Sequence, residues 1–217
     1  RLIMNGDIID GWQLHNSDDK WNSSHSAFFR VIMKMMENHS TEVIYVSGNH
    51  DDFLDPIVPS KLFNISFVSE YIIREEKHSY VVIHGHAFDS ITARFRWISR
   101  LGDIGYNLLL KFNNMWNRAR MRHGKEYYSF SKVIKHKVKQ AVSLISGFES
   151  DLEAFARARG CDGIICGHIH NPEDKMLKGG IHYLNSGDWV ESLSALVEDF
   201  DGNWRILRYN DFVKPQP

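Results

Sequence analysis

Residues 161–170 have the sequence Cys161-Asp162-Gly163-Ile164-Ile165-Cys166-Gly167-His168-Ile169-His170. The short apolar run between the two inner glycines is rich in β-branched residues, which predicts a buried strand. His168 and His170 follow directly. Because side chains two residues apart in extended backbone point the same way, both can face one ligand beyond the end of the strand. Open α/β sheets bind their ligands there, outside the carboxyl ends of strands.

Three further segments repeat this pattern of an apolar run followed by a polar cluster. One such cluster is more often loop polarity or helix capping than a ligand site. Four at the ends of successive strands indicate one shared site at an edge of the sheet. Asp, Asn and His supply the oxygen and imidazole donors that suit Mn, Fe or Zn. The other clusters are Gly6-Asp7-Ile8-Ile9-Asp10 after Leu2–Asn5, Gly48-Asn49-His50-Asp51 after Glu42–Val46, and His84-Gly85-His86 after Tyr80–Ile83.

Strands alternate with helical patterns along most of the chain, but the pattern changes between residues 91 and 159. There the apolar residues recur at helical spacing, for example at Leu101, Ile104 and Leu108. Strand patterns return after residue 160. We therefore predict an α/β fold in a single domain over residues 1–217, with a helical insertion at about residues 91–159.

The composition is that of a globular protein, with 43% hydrophobic and 24% charged residues. Two cysteines do not make a disulfide framework and favour a reducing compartment. No apolar run approaches the length of about 18 residues that a transmembrane helix needs. The net charge is −1, but residues 94–140 carry twelve Lys and Arg against two acidic residues. Such an uneven distribution of charge bears on partners.

The motifs Gly-Asp-x-x-Asp, Gly-Asn-His-Asp and Gly-His-x-His, with a His after another strand, together resemble those of the calcineurin-like metallophosphoesterases. The resemblance implies two packed mixed sheets flanked by helices. It also implies a site for two divalent metal ions, Mn being favoured over Fe or Zn. By the same resemblance Asp7 would bridge both ions. Asn49, His84 and His168 would bind one ion, and His170 the other.

The resemblance also implies roles for the neighbouring polar residues. His50 would lie over the phosphoryl group as general acid or oxyanion partner, oriented by Asp51, and both are candidate catalytic residues. Asp10 would contact the ligand residues rather than the ions. His86 falls where an Asp is usual, and because its neighbour His84 is the better ligand candidate, His86 would either support the ligands or be structural. Family members carry a further Asp-x-His at the end of a first strand. Since Asp7 lies so near the start, we expect this chain to lack its first β-α unit and the natural protein to be longer.

The order of the motifs resembles more closely the UDP-2,3-diacylglucosamine pyrophosphatase group. That group cleaves the pyrophosphate of a lipid-linked nucleotide sugar at the inner membrane surface, in lipid A synthesis. The resemblance implies such a substrate and a cytoplasmic location, peripheral to the inner membrane. His50 stands where well-characterised members have Arg. Asp188 and Glu191 follow a later strand and would either shape the rim of the site or cap a loop. The motifs are GDIIDGW (6–12), GNHDDF (48–53), HGHAFD (84–89), GDIGY (102–106), GHIH (167–170) and NSGDWVES (185–192).

The basic insertion also carries large apolar and aromatic residues. A helix with basic and aromatic faces can lie in an anionic membrane interface. It can equally form a lid whose Arg residues pair with phosphates. The alternative is an ordinary solvated basic face on a helix packed against the core. The candidate lid residues are Arg94, Arg96, Trp97, Arg118, Arg120 and Arg122.

Three functions fit these patterns. The leading hypothesis is a metallophosphoesterase that cleaves the pyrophosphate of a lipid-linked nucleotide by a metal-activated water. The second is a phosphodiesterase or nuclease whose basic insertion faces nucleic acid. Nucleic acid is the less favoured partner, because the basic residues lie among large apolar ones rather than among spaced stacking aromatics. The third is a non-catalytic, membrane-peripheral binding protein.

Overall fold

The computed structural model describes residues 1–16, 21–75, 78–88 and 147–212. The chain divides into two compact units, residues 1–87 with 152–217 and residues 88–151. Most of the predicted insertion, residues 91–146, lies outside the described residues, whereas residues 147–158 are helical. The domain organisation stays a prediction.

The first sheet has the strand order β1-β2-β4-β3, in which β1, β2 and β4 are parallel and β3 is an antiparallel edge. Every residue of β2 is buried. A strand covered on both faces has a continuous apolar run rather than an alternating one, which is why β2 could be predicted. The strands are β1 (Leu2–Asn5), β2 (Val43–Val46), β3 (Ser60–Leu62) and β4 (Ile65–Val68).

The second sheet has the order β5-β6-β7-β9-β8, with a parallel centre formed by β6, β7 and β9 and antiparallel edges. A separate antiparallel hairpin, β10 and β11, follows it. The strands are β5 (Glu70–Arg74), β6 (Ser79–Ile83), β7 (Gly163–Cys166), β8 (Glu173–Met176), β9 (His182–Asn185), β10 (Ser194–Glu198) and β11 (Trp204–Arg208).

The main core joins the two sheets. Ile44 and Val46 of the first sheet pack in one buried cluster with Val82, Ile165 and Leu184 of the second. Removing such side chains from water is the main favourable contribution to folding. The predicted α/β class with two packed mixed sheets is confirmed.

Two helices precede β2, namely α1 (Gly11–Asn16) and α2 (Ser23–His39). The helix α2 begins with a reciprocal cap, in which Asn22 Oδ1 accepts the amides of Ser24 and His25 while His25 Nδ1 accepts the Asn22 amide. Its buried Ile32 belongs to a second cluster with Val43 and Tyr45 of β2. Within the described ranges, no helix has both the length and the apolar character needed to cross a membrane.

Candidate metal centre

The turn after β1 presents Asp7 in an unusual backbone conformation. Gly6 and Asp7 both have positive φ, 74° and 55°. A Cβ atom at Gly6 would overlap the imidazole of His84, so glycine is required both by the backbone conformation and by the space. The turn thereby brings the Asp7 carboxylate against the residue that ends β6.

Asp51 fastens this turn to the loop after β2. Its carboxylate is fully buried. It accepts the amides of Asp7 at 3.1 Å, Ile8 at 3.3 Å and Gly48 at 2.8 Å, and the hydroxyl of Tyr45 at 2.6 Å. Burial and the neighbouring Asp51 charge raise the pKa of Tyr45, which therefore stays a hydrogen-bond donor. One carboxylate thus fixes both loops of the first sheet that carry predicted ligands.

The centre of the site is a cluster of Asp7, His84 and His168. One ligand atom from each lies within 4.8 Å of the other two. His84 Nε2 is 3.2 Å from Asp7 Oδ2 and 3.2 Å from His168 Nδ1. Ligand atoms bound about 2.0–2.2 Å from one cation lie about 3.0–3.5 Å apart, so both spacings suit a shared divalent ion. Both histidines are nearly fully buried, with 3% and 4% exposure.

The electrostatics of the cluster keep Asp7 ionised. Burial alone would raise the pKa of Asp7, but the hydrogen bond and charge of His84, together with the His50 amide, lower it to about 2. Burial likewise lowers the pKa of His84, but the hydrogen bond to Asp7 outweighs it and the pKa is raised. His84 Nδ1 lies 2.9 Å from the Asn5 carbonyl, which can only accept a hydrogen bond. Nδ1 therefore donates to this carbonyl, and Nε2 faces the cluster. Metal-binding histidines are commonly oriented in this way.

Asn49 lies in the same loop as Asp51 and fits the donor set. Its Oδ1 atom is buried and has no hydrogen-bond partner among the residues that the structure describes. The neighbouring His50 amide donates to Asp7 Oδ1 at 2.8 Å, which joins this loop to the cluster. A buried amide oxygen without a partner is costly unless it binds a ligand, and amide oxygens are ligands for hard divalent cations. The residues therefore fit a divalent metal ion.

The contact predicted for the His50 side chain differs in the structure. The carboxylate that approaches the imidazole is that of Asp10, with Oδ1 3.3 Å from His50 Nδ1, while Asp51 binds the Asp7 turn instead. Trp12 covers the same imidazole with a ring centroid distance of 4.5 Å and an interplanar angle of 30°. Asp10 also accepts the Gln13 amide at the start of α1, at 3.0 Å. The helix α1 thus sets the position of the His50 ring.

His170 lies outside the cluster of three. Its Nδ1 atom is 2.7 Å from Asp188 Oδ2, and its backbone has a φ of 57°. Burial would raise the pKa of Asp188, but the amides of Glu191, Ser192 and Val190 lower it, so this carboxylate is also ionised. The assignment of His170 to a second ion stays a prediction.

The remaining predicted site residues divide into two groups. The His86 ring is 5.6 Å from the His84 ring and 6.5 Å from the His168 ring, centroid to centroid, so it borders the cluster. The candidate lid residues lie outside the described residues, and their roles stay predictions. They are Arg94, Arg96, Trp97, Arg118, Arg120 and Arg122.

Two residues of the site escaped the sequence analysis. The Asn5 carbonyl orients His84, and nothing in a sequence identifies one backbone carbonyl among many. The sequence did contain a signal for Trp12. It follows Asp10 by two residues in the GDIIDGW motif, and residues in the first turn of a helix lie close to the residue that caps it.

Comparison with known proteins assigns most of the chain to one family. The family model described as calcineurin-like phosphoesterase matches residues 2–172. No curated protein sequence matches the chain significantly. Solved structures with a similar fold include an archaeal phosphodiesterase, at 12% identity over 82% of this chain and 74% of that one, with a TM-score of 0.34. Vacuolar protein sorting 29 from Cryptosporidium parvum matches at 14% identity over 81% and 72%, with a TM-score of 0.37.

A predicted phosphoesterase from Streptococcus pneumoniae matches at 13% identity over 76% of this chain and 70% of that one, with a TM-score of 0.31. None of these findings is specific to the UDP-2,3-diacylglucosamine pyrophosphatase group. The family model, however, spans well over half of the chain and includes the loops that carry Asp7, Asn49, His84 and His168. The chain therefore belongs to the calcineurin-like phosphoesterase family, and it is a metal-dependent phosphoester hydrolase.

Proposed function

We propose that the chain binds a divalent cation, Mn²⁺ in the first place, through Asp7, Asn49, His84 and His168, and that His170 serves a second cation bridged by Asp7. The observation that carries the proposal is the cluster in which His84 Nε2 lies 3.2 Å from both Asp7 Oδ2 and His168 Nδ1. Three donor residues from three strand ends converge there. The Asn49 oxygen lies in the loop that the His50 amide joins to Asp7, and it has no hydrogen-bond partner among the described residues.

The chain's own residues prepare this site for hydrolysis. Divalent cations at such a site supply Lewis acidity, which makes water a nucleophile at neutral pH and balances charge on phosphoryl oxygens. Asp7 supplies the fixed negative charge, because its pKa of about 2 keeps it ionised at any physiological pH. Asp51 keeps Asp7 and the Asn49 loop in place without touching the substrate.

We assign proton donation or oxyanion stabilisation to His50. Its imidazole has Asp10 beside one nitrogen and Trp12 against one ring face, and on this proposal the other nitrogen would face the substrate. A general acid near the leaving-group oxygen contributes about 10²–10⁴-fold to such reactions.

The substrate that we propose is a lipid-linked nucleotide with a pyrophosphate bond, such as UDP-2,3-diacylglucosamine. The order of motifs and the basic, aromatic segment at residues 94–140 support this choice. Arg side chains suit phosphates and the apolar residues suit acyl chains. On this proposal the protein acts in the cytoplasm at the inner membrane surface, in lipid A synthesis. A nuclease is the second candidate, favoured by the same excess of positive charge.

The proposal is tested by assaying the protein with Mn²⁺ against three substrates in parallel, namely UDP-2,3-diacylglucosamine, bis-p-nitrophenyl phosphate and single-stranded DNA. The expected result is hydrolysis of the lipid substrate and weaker hydrolysis of the chromogenic diester, both abolished in Asp7→Ala and His168→Ala. His39→Ala, which replaces an exposed histidine of α2, is the matched control. Preferential cleavage of DNA would favour the nuclease, and a bound metal without any hydrolysis would favour a binding protein.

A further inference from the structure

The two carboxylate oxygens of Asp188 have different partners. Oδ1 accepts three consecutive backbone amides, from Val190 at 2.9 Å, Glu191 at 2.6 Å and Ser192 at 2.9 Å. Oδ2 is a buried atom that forms no hydrogen bond to the described residues, and it lies 2.7 Å from His170 Nδ1 as an ion-pair contact. Capping of the loop therefore occupies one oxygen, and the other faces the imidazole.

The loop that carries Asp188 is anchored to β7, the strand that precedes His170. The Ser186 amide donates to the Cys166 carbonyl at the end of β7, at 3.0 Å. Ser194 Oγ donates to the Ser186 carbonyl at 2.8 Å, which closes the loop at its other end. The Asp188 side chain is 11% exposed and has little freedom to turn away. The contact between Asp188 and His170 is thus built into the fold rather than made by two mobile surface groups.

We infer that Asp188 is a positioning residue for His170, holding Nδ1 as the protonated nitrogen so that Nε2 is free to bind a divalent cation. At 2.7 Å the two atoms are within hydrogen-bonding distance, and because a carboxylate oxygen only accepts, a hydrogen bond between them places the proton on Nδ1. This inference rests on the proposed function, because it assigns His170 to a cation of that same site. It goes beyond it by naming the residue that makes His170 competent.

Asp188→Asn separates the two roles of the carboxylate. The Asn oxygen can still accept the three loop amides. The opposite orientation of the side-chain amide is disfavoured, because it would place the NH₂ group against those three N–H donors. The NH₂ group therefore faces His170 Nδ1, which must then act as acceptor and leave the proton on Nε2. A protonated Nε2 cannot bind a cation. We expect a loss in affinity of about 10–100-fold for the cation that His170 binds, with the fold unchanged.

Two measurements test the inference. The ¹⁵N NMR signals of His170 in the metal-free protein, at a pH where the ring is neutral, report which nitrogen carries the proton. Calorimetric titration with Mn²⁺ reports affinity. Wild type should show Nδ1–H, and Asp188→Asn should show Nε2–H and weakened binding. Val190→Ala, which shortens an exposed side chain of the same loop but keeps its amide and the carboxylate, should match wild type.

A double-mutant cycle that combines Asp188→Asn with His170→Ala completes the test. In that background Asp188→Asn should cause no further loss of affinity, because the effect passes through the imidazole. The inference is overturned if Asp188→Asn leaves the tautomer and affinity unchanged, if Val190→Ala causes the same loss, or if the loss persists without His170. A wild-type protein that binds no Mn²⁺ would instead overturn the proposed function.

Discussion

Asp7, His168 and His170 all have left-handed backbone conformations, with φ of 55°, 58° and 57°. For residues with a Cβ atom this conformation costs about 1–2 kcal/mol each, and glycine adopts it without that cost. Such residues cluster where the side chain is needed for function. Ser40, Phe63 and Leu193 also have positive φ, so the conformation by itself does not identify a ligand, but it marks three of the predicted ligand positions.

Substitutions of His168 separate the cost of the backbone from the role of the side chain. His168→Gly and His168→Ala both remove the imidazole, but only alanine keeps the steric cost of positive φ. We expect His168→Gly to exceed His168→Ala in free energy of unfolding by about 1 kcal/mol, measured by urea denaturation in EDTA. Both should lose Mn²⁺ binding. Equal stability of the two variants would show that the turn relaxes and stores no strain.

Replacement by Asn should mainly reduce stability at Asp51 and mainly reduce turnover at Asp10. Asp51→Asn places an NH₂ group among four hydrogen-bond donors in a buried site, and we expect it to lower the free energy of unfolding by about 2–4 kcal/mol. Asp10→Asn keeps a good helix cap and should lower it by less than about 1 kcal/mol while reducing turnover. Urea denaturation and kcat measurements test both. A stable Asp51→Asn variant with impaired turnover would restore the predicted catalytic role of Asp51.

At the scale of elements, the strands with continuous apolar runs were predictable and the short or charged elements were not. The strands β2 and β7 are buried at every residue, so their sequences carry the signal. The edge strand β8 has the sequence Glu-Asp-Lys-Met and alternates between half-buried and exposed positions, which resembles a polar loop. The helix α1 has only six residues, too few for a helical period to be recognised.

Strand ends could be predicted from the sequence, but the contacts between loops could not. Asp51 directly follows His50 in the chain, which favoured a contact between their side chains. Yet the Asp51 side chain points into the core towards Tyr45, and Asp10 reaches His50 from 40 residues earlier in the chain. Which carboxylate meets which imidazole depends on how two sheets pack, and no local pattern encodes that.

The cap of α2 gives a prediction at the same scale. Asn22→Ala removes the acceptor for the Ser24 and His25 amides, so we expect the free energy of unfolding to fall by about 1 kcal/mol. Asn22→Ser keeps an acceptor, so its free energy of unfolding should fall by much less. Thermal or urea unfolding of the two variants checks this. A loss of the same size in Asn22→Ser would show that keeping an acceptor does not preserve the cap, and no loss in Asn22→Ala would show that His25 rather than the Asn22 side chain dominates it.

At the scale of the whole molecule, the site joins the two sheets. Asp7 and Asn49 follow strands of the first sheet, whereas His84 and His168 follow strands of the second. A cation held by all four residues would bind the folded chain and not the unfolded one. Metal binding should therefore stabilise the packing of the two sheets.

Mn²⁺ at 100 times its dissociation constant should raise the free energy of unfolding by about 2.7 kcal/mol. His168→Ala should lose this gain, while the exposed control His39→Ala should keep it. Urea denaturation with and without Mn²⁺ measures the difference. A gain that survives in His168→Ala would indicate that the cation binds elsewhere.

The most direct test of the metal centre is anomalous diffraction from crystals grown with Mn²⁺. We expect an anomalous peak about 2.0–2.3 Å from an Asp7 carboxylate oxygen, His84 Nε2 and His168 Nδ1, with the Asn49 side chain turned towards it. An empty cluster at saturating Mn²⁺, or a peak bound only by other residues, would contradict it.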